Sequence, residues 1–265
     1  MTLVSAGIMP HGFEAVSSLS RGAPPGLTVA MRSVAGAIRR SGARTVVLAT
    51  PHNVRIRGMM GVVMAEHYAG AVSNGRERIS VRLLGDRELA EDIYRRAHMK
   101  GLHVVSVNYG TDGGPESKMP LDWGAVIPLW FLRPRPKLVL VTPSREIPWK
   151  ELVALGGCIR DSAADSKKSI AFVASADQAH AHLETGPYGH DPAAETYDSL
   201  VYGMVKEGRL GELLRLDPSL VDHAKPDSLW QMLILHGVVR GMRLEHLSYH
   251  RPTYFGMLCA SFLHV

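Results

Sequence analysis

Cysteine is scarce in this chain: Cys158 and Cys259 are the only two in 265 residues. No CxxC pair occurs, which removes a zinc knuckle, a redox dithiol and a disulfide framework from consideration. Both cysteines sit among apolar neighbours and read as core residues of a protein in a reducing compartment. Aromatic residues make up only 6% of the chain and do not interleave with basic ones. The net charge of +5 comes from scattered pairs such as Arg39-Arg40, Arg95-Arg96 and Lys167-Lys168, never from a run of five. With no nucleic-acid module in the sequence, these charges read as solvated faces, and no nucleic-acid partner is expected. The longest uncharged stretches, 1–13 and 252–265, fall short of the roughly 20 residues that a spanning helix needs. The first residues also lack the basic segment of a signal peptide. The expectation is a soluble cytoplasmic protein without a membrane partner. No internal repeat, low-complexity linker or HExxH zinc-protease motif is present.

What is present is an ordinary globular composition, 46% hydrophobic and 21% charged. Three short β-branched runs, Thr45–Thr50, Lys137–Thr142 and Ser169–Ala174, read as buried strands. Residues 28–40 place Met31, Val34, Ala35 and Ile38 on one helical face. Residues 86–99 do the same with Leu89, Ala90, Ile93 and Ala97, behind Asp86 as N-cap. Further helices are expected over 149–162, 192–206 and 227–240. Strands alternating with helices predict an α/β fold, a single domain over 1–265 with a central, mostly parallel or mixed sheet and helices on both faces. The Gly- and Pro-rich segment 109–124 reads as a long functional loop rather than a domain boundary. The apolar run 252–265 reads as an inner strand or an interface strand.

The chemistry-bearing residues are histidines at expected strand ends. His11 lies in Pro10-His11-Gly12 after a short apolar start, and His52 lies in Pro51-His52-Asn53 directly after TVVLAT. A proline before each restrains the backbone that carries the imidazole. Taken singly, each histidine could equally be one satisfied by backbone hydrogen bonds. Asp227, after Pro226 and before an apolar helix, is either an N-cap or a metal ligand, two roles that need different side-chain directions. Two imidazoles and a carboxylate on one face of an iron ion leave coordination positions free for substrate and oxygen. His180 and His182 follow a run of small residues after the third strand. On an extended segment they would share a face; in a loop they diverge. A neutral histidine beside a metal suits proton transfer. His67 and His223 are candidates for supporting groups around a pocket, and Glu14 for orienting His11.

Six motifs occur in order: PHG at 10–12, PHN at 51–53, LDWGAVIPL at 121–129, SADQAHAH at 175–182, PDSLWQMLILHG at 226–237 and YFGM at 254–257. Together they resemble the class III extradiol ring-cleavage dioxygenases, the superfamily of the protocatechuate 4,5-dioxygenase β-subunit and DOPA dioxygenase, which includes the Memo-like proteins. The resemblance implies a mononuclear non-haem Fe(II) held by His11, His52 and Asp227. It makes His180 the acid/base, and places His182, Asp122, Trp123 and Tyr188 at the substrate, a catechol-type aromatic cleaved with O2. It also implies a homo-oligomer, a dimer or larger. Two positions depart from the family pattern. Its carboxylate ligand is usually Glu, which leaves Glu184 as an alternative to Asp227. Trp123 stands where many members carry a histidine. The competing readings are a Memo-like metal-binding protein without dioxygenase activity and a Zn-dependent hydrolase.

Overall fold

The computed structural model describes residues 3–20 and 22–264. Its centre is an eight-stranded mixed sheet ordered β10 (Met242–His250), β11 (Met257–His264), β1 (Leu3–Met9), β9 (Ile170–Ser175), β2 (Thr45–Ala49), β8 (Lys137–Thr142), β3 (Met60–Val63), β6 (Val104–Val107). β1, β9, β2 and β8 run parallel; β11 and β3 are antiparallel to their neighbours in that block. Every residue of β2 and β9 is buried, as expected of strands covered on both faces, where short all-apolar runs replace alternation.

Helices cover both faces. Val47, Ala49 and Phe172 face a core built with α2 (Arg87–Met99), α4 (Trp149–Asp165), α5 (Ala193–Lys206), α6 (Pro218–Ala224) and α7 (Leu229–Val238). Val46, Leu48 and Val173 face a second core built with α1 (Pro25–Arg40) and α3 (Trp123–Phe131). A smaller sheet, β5 (Arg78–Leu84), β4 (His67–Ser73), β7 (Lys118–Leu121), closes this second core. Its β5 shows strict one-sided alternation, with Ile79, Val81 and Leu83 inward.

The single-domain α/β expectation holds, and the expected strands and helices appear within a few residues. Asp86 caps α2 by accepting the Leu89 amide. The run 252–265 supplies β11, an inner strand between β10 and β1; Val265 lies outside the described residues. The expected loop 109–124 is shorter than its composition suggested. Lys118–Leu121 pairs in parallel with β4, and the apolar residues after it form α3 despite Pro128 inside it. A proline removes the amide that would bond the carbonyl four residues earlier, here that of Gly124. Among the described residues, no helix is long and apolar enough to cross a membrane.

Candidate metal centre

Parallel strands deliver side chains to the crevice beyond their carboxyl ends. β1, β2 and β9 end at Met9, Ala49 and Ser175; His11, His52 and Asp177 follow each by two or three residues. Asp227 arrives from the other direction, two residues before α7, with Ser228 at the cap position. Its side chain does not cap the helix. Asp227 Oδ2 lies 3.2 Å from His52 Nε2 and 3.5 Å from His11 Nε2. One ligand atom from each of His11, His52 and Asp227 falls within 4.8 Å of the others. The two imidazole rings are perpendicular, with centroids 4.9 Å apart. His11 and Asp227 are buried, while His52 is the half-exposed member.

The tautomer of His11 follows from its neighbours. Pro128 leaves the Gly124 carbonyl without its helical partner, and Ser175 Oγ–H donates to that carbonyl at 2.5 Å. The hydroxyl's only proton is then committed, so Ser175 Oγ accepts from His11 Nδ1–H at 3.0 Å. Nε2 is thereby the nitrogen that His11 turns toward Asp227 and His52, and a metal bound there would displace the proton that Nε2 shares with Asp227. Glu14 is not the group that orients His11; Ser175 is.

Two further charged groups complete the centre. Asp177 accepts the His11 amide at 2.9 Å through Oδ1, and its Oδ2 lies 3.3 Å from His11 Nε2. Arg145 binds the second oxygen of Asp227 and lies over the Trp230 ring, 4.4 Å from its centroid. Burial by itself would push the Asp227 carboxyl up. Hydrogen bonds from His11 and His52 and the charges of His11 and Arg145 outweigh it and hold the group far below the carboxylate range. Burial likewise pulls His11 down, but Asp177 and Asp227 prevail and raise it. The donor set fits a divalent metal: two imidazole nitrogens and one ionised carboxylate oxygen, convergent, with one member facing solvent.

The Asp122-Trp123-Gly124 segment builds one wall. Asp122 Oδ2 accepts the Asn53 amide at 2.6 Å, holding a turn in which Asn53 has φ 73°, a left-handed conformation that asparagine tolerates. Trp123, 43% exposed, packs on His52 at a centroid distance of 4.3 Å. Gly124 lets His52 approach: a Cβ there would lie 2.8 Å from the imidazole. His180 stacks on Phe255, centroids 5.0 Å apart and nearly parallel, with Tyr188 and Tyr254 at its edges. Its Nδ1–H donates to the Gln178 carbonyl at 2.8 Å, so Nε2 is the basic nitrogen. Burial lowers its pKa, against the opposing charges of Asp177 and Asp227.

His182 is not brought to this centre, contrary to the substrate contact expected of it. The segment 176–182 pairs only through isolated bridges, and the two histidines diverge. His182 Nε2–H donates to Asp198 at 2.8 Å and Nδ1 accepts from Arg251 at 2.9 Å. It lines a separate cavity of about 670 Å³ with Asp198, Tyr202, Tyr249 and Arg251. Glu184 is exposed on the following loop and is not part of the cluster. His223 sits at the surface near Asp191, and His67 lies in β4, on the side of the small sheet. The sequence reading missed Ser175, Asp177 and Arg145. The first two stand in the SADQAHAH motif at a strand end, a signal that was available; Arg145 carries none.

Two histidines beyond the ends of parallel strands, joined by a carboxylate that precedes α7, define a candidate α/β metalloprotein. The family model described as the catalytic LigB subunit of aromatic ring-opening dioxygenase matches residues 8–258, and the chain belongs to that family. Protein CA_C1420 of Clostridium acetobutylicum is 24% identical over 258 residues, covering 94% of this chain and 55% of its own length. The chain thus spans about half the length of that curated relative. The crystal structure of the uncharacterized protein JW3007 from Escherichia coli K12 shares the fold, with a TM-score of 0.60 at 15% identity. That match covers 97% of this chain and 99% of the other.

Proposed function

We propose that residues 1–265 act as a non-haem Fe(II)-dependent extradiol dioxygenase that opens the ring of a catechol-type substrate with O2. The observation that carries this reading is the convergence of His11, His52 and Asp227, one ligand atom of each within 4.8 Å of the others, with His180 on the same loop as Asp177. His11, His52 and Asp227 would hold the metal. Bound Fe(II) supplies Lewis acidity and brings an electron-rich ring and O2 to one centre. The protein's own part is positioning and proton transfer. His180 Nε2, neutral because its pKa is lowered by burial, takes a proton from a substrate hydroxyl and later returns it. Phe255 fixes the plane of that imidazole. Trp123 shields His52 from water, and Tyr188, 58% exposed, stands at the outer edge of His180, where it can reach a bound ring.

The test is anaerobic loading with Fe(II), followed by metal content and O2 uptake over a panel of catechols. One iron per chain with O2 consumption and a coloured ring-fission product supports the reading; no uptake across the panel by the iron-loaded protein overturns it. One observation favours a second reading. Trp123 presents an indole, without a titratable nitrogen, against His52, at the position where many ring-cleaving relatives carry an imidazole. Metal bound stoichiometrically without turnover would select a metal-binding relative that lacks dioxygenase activity.

A further inference from the structure

The positive charge of the chain is segregated. Arg44 precedes β2, Lys137 opens β8, and Lys167 and Lys168 precede β9; backbone bonds from Arg44 to Ser169 and from Lys137 to Arg44 tie the three strand starts together. With Arg135 they line a cavity of about 570 Å³. A second cavity of about 750 Å³ shares Arg135, Pro136 and Lys137 and adds Arg82 and Lys118. Seven of the chain's 30 Lys and Arg residues line the two cavities, against one of its 25 acidic residues, Asp86. The lining carries a net charge of +6, more than the whole chain's +5.

Lys168 is paired, by exposed Glu88 and by Asp86, but among the described residues Asp86 pairs with no other cation of the lining. The Asp86 carboxylate is buried and already bound by Thr45, Lys168 and the Leu89 amide. Among the described residues, Arg44, Arg82, Lys118, Arg135, Lys137 and Lys167 have no carboxylate partner. Arg135 is half-buried and donates only to main-chain carbonyls, including those of Leu129 and Ser80. Burial and the neighbouring Arg133 pull its pKa down to about 10. A partly desolvated cation among like charges is costly unless a counter-charge arrives from outside. Lys167, at the rim, holds φ 56°, a conformation that non-glycine residues adopt at a cost.

We propose that these adjoining cavities form a binding site for a small, multiply charged anion of the polyphosphate type. Guanidinium and ammonium groups converge from three strand starts on a concavity of ligand size. The only aromatic rings in the lining are the buried Tyr68 and the His67 imidazole, both in the second cavity, so the first offers charge recognition rather than ring stacking. The site is distinct from the metal centre. It lies at the amino ends of β2, β8 and β9, whereas His11, His52 and Asp177 follow the carboxyl ends of their strands, roughly 15 Å away across five strand residues.

The experiment is calorimetric titration of the full chain with inorganic tripolyphosphate at fixed ionic strength. One saturable site is expected. Arg44→Glu, Lys137→Glu and the rim variant Lys167→Glu should each weaken it by about tenfold. Arg32→Glu, an exposed site on α1, makes the same change in net charge and should shift affinity less than about twofold, and His52→Ala should leave it unchanged. Absence of saturable binding overturns the proposal. So does an Arg32→Glu effect equal to the others, which would mean only the net charge is sensed, or loss of binding in His52→Ala, which would place the anion at the metal centre. Three separate variants at exposed residues keep the result readable if one of them fails to fold.

Discussion

His11 Nδ1 lies 3.0 Å from Ser175 Oγ, and the proton of that hydroxyl is already given to the Gly124 carbonyl. The relationship begins with Pro128, whose missing amide frees the carbonyl, and ends at Nε2, the nitrogen that His11 turns toward Asp227 and His52. A residue of the apolar helix thus determines which nitrogen of a buried histidine is available to a metal.

Ser175→Ala removes this anchor. Metal affinity should fall by about 10- to 100-fold, the usual cost of losing the group that orients a histidine ligand. Competitive chelator titration measures it. Wild-type affinity in a folded Ser175→Ala protein would show that His11 is oriented by packing alone.

The two carboxylates that the sequence left open are separable. Asp227→Asn should lose bound metal and leave Arg145 unpaired, while Glu184→Ala should retain one equivalent. Elemental analysis after Fe(II) loading decides; metal loss in Glu184→Ala would show the loop carboxylate to be the ligand.

His180→Phe should keep iron and lose at least about a hundredfold in turnover, the scale of one general acid/base group. The pH profile carries a sign. Burial lowers the His180 pKa below 6.5, so the neutral base persists at mildly acidic pH. The acid limb of kcat/KM should therefore fall below pH 6.5 and disappear in the variant. An acid limb above that value would assign it to another group.

Asp198 is buried and accepts hydrogen bonds from His182, Tyr249 and the Ala179 amide. Asp198→Ala should destabilise the fold by about 3–5 kcal/mol, as removal of one partner from a buried charged network does. His182→Ala should lower stability while metal content stays at one equivalent. Urea melts and metal analysis together check this. Metal loss in His182→Ala would revive a His180–His182 metal pair.

Much of this protein is legible along the chain. The strands around Val47, Val139 and Phe172 are short apolar runs whose burial on both faces needs no partner to be inferred, and the cap at Asp86 is a local hydrogen bond. His11, His52 and Asp227 stood out because each follows or precedes an element boundary, where side chains escape the core. What no local pattern contains is direction across distance. Whether Asp227 capped its own helix or turned toward two histidines more than 170 residues earlier depended on how α7 packs against β9. His180 and His182 read as a pair by spacing, yet one faces Phe255 and the other Asp198, because the backbone between them is not a strand. The basic face likewise arises only when the starts of β2, β8 and β9 are laid side by side. Periodicity, caps and turns are set by neighbours a few residues away and are written in sequence. Convergence of charges and lone pairs is set by sheet order, and only the tertiary structure decides it.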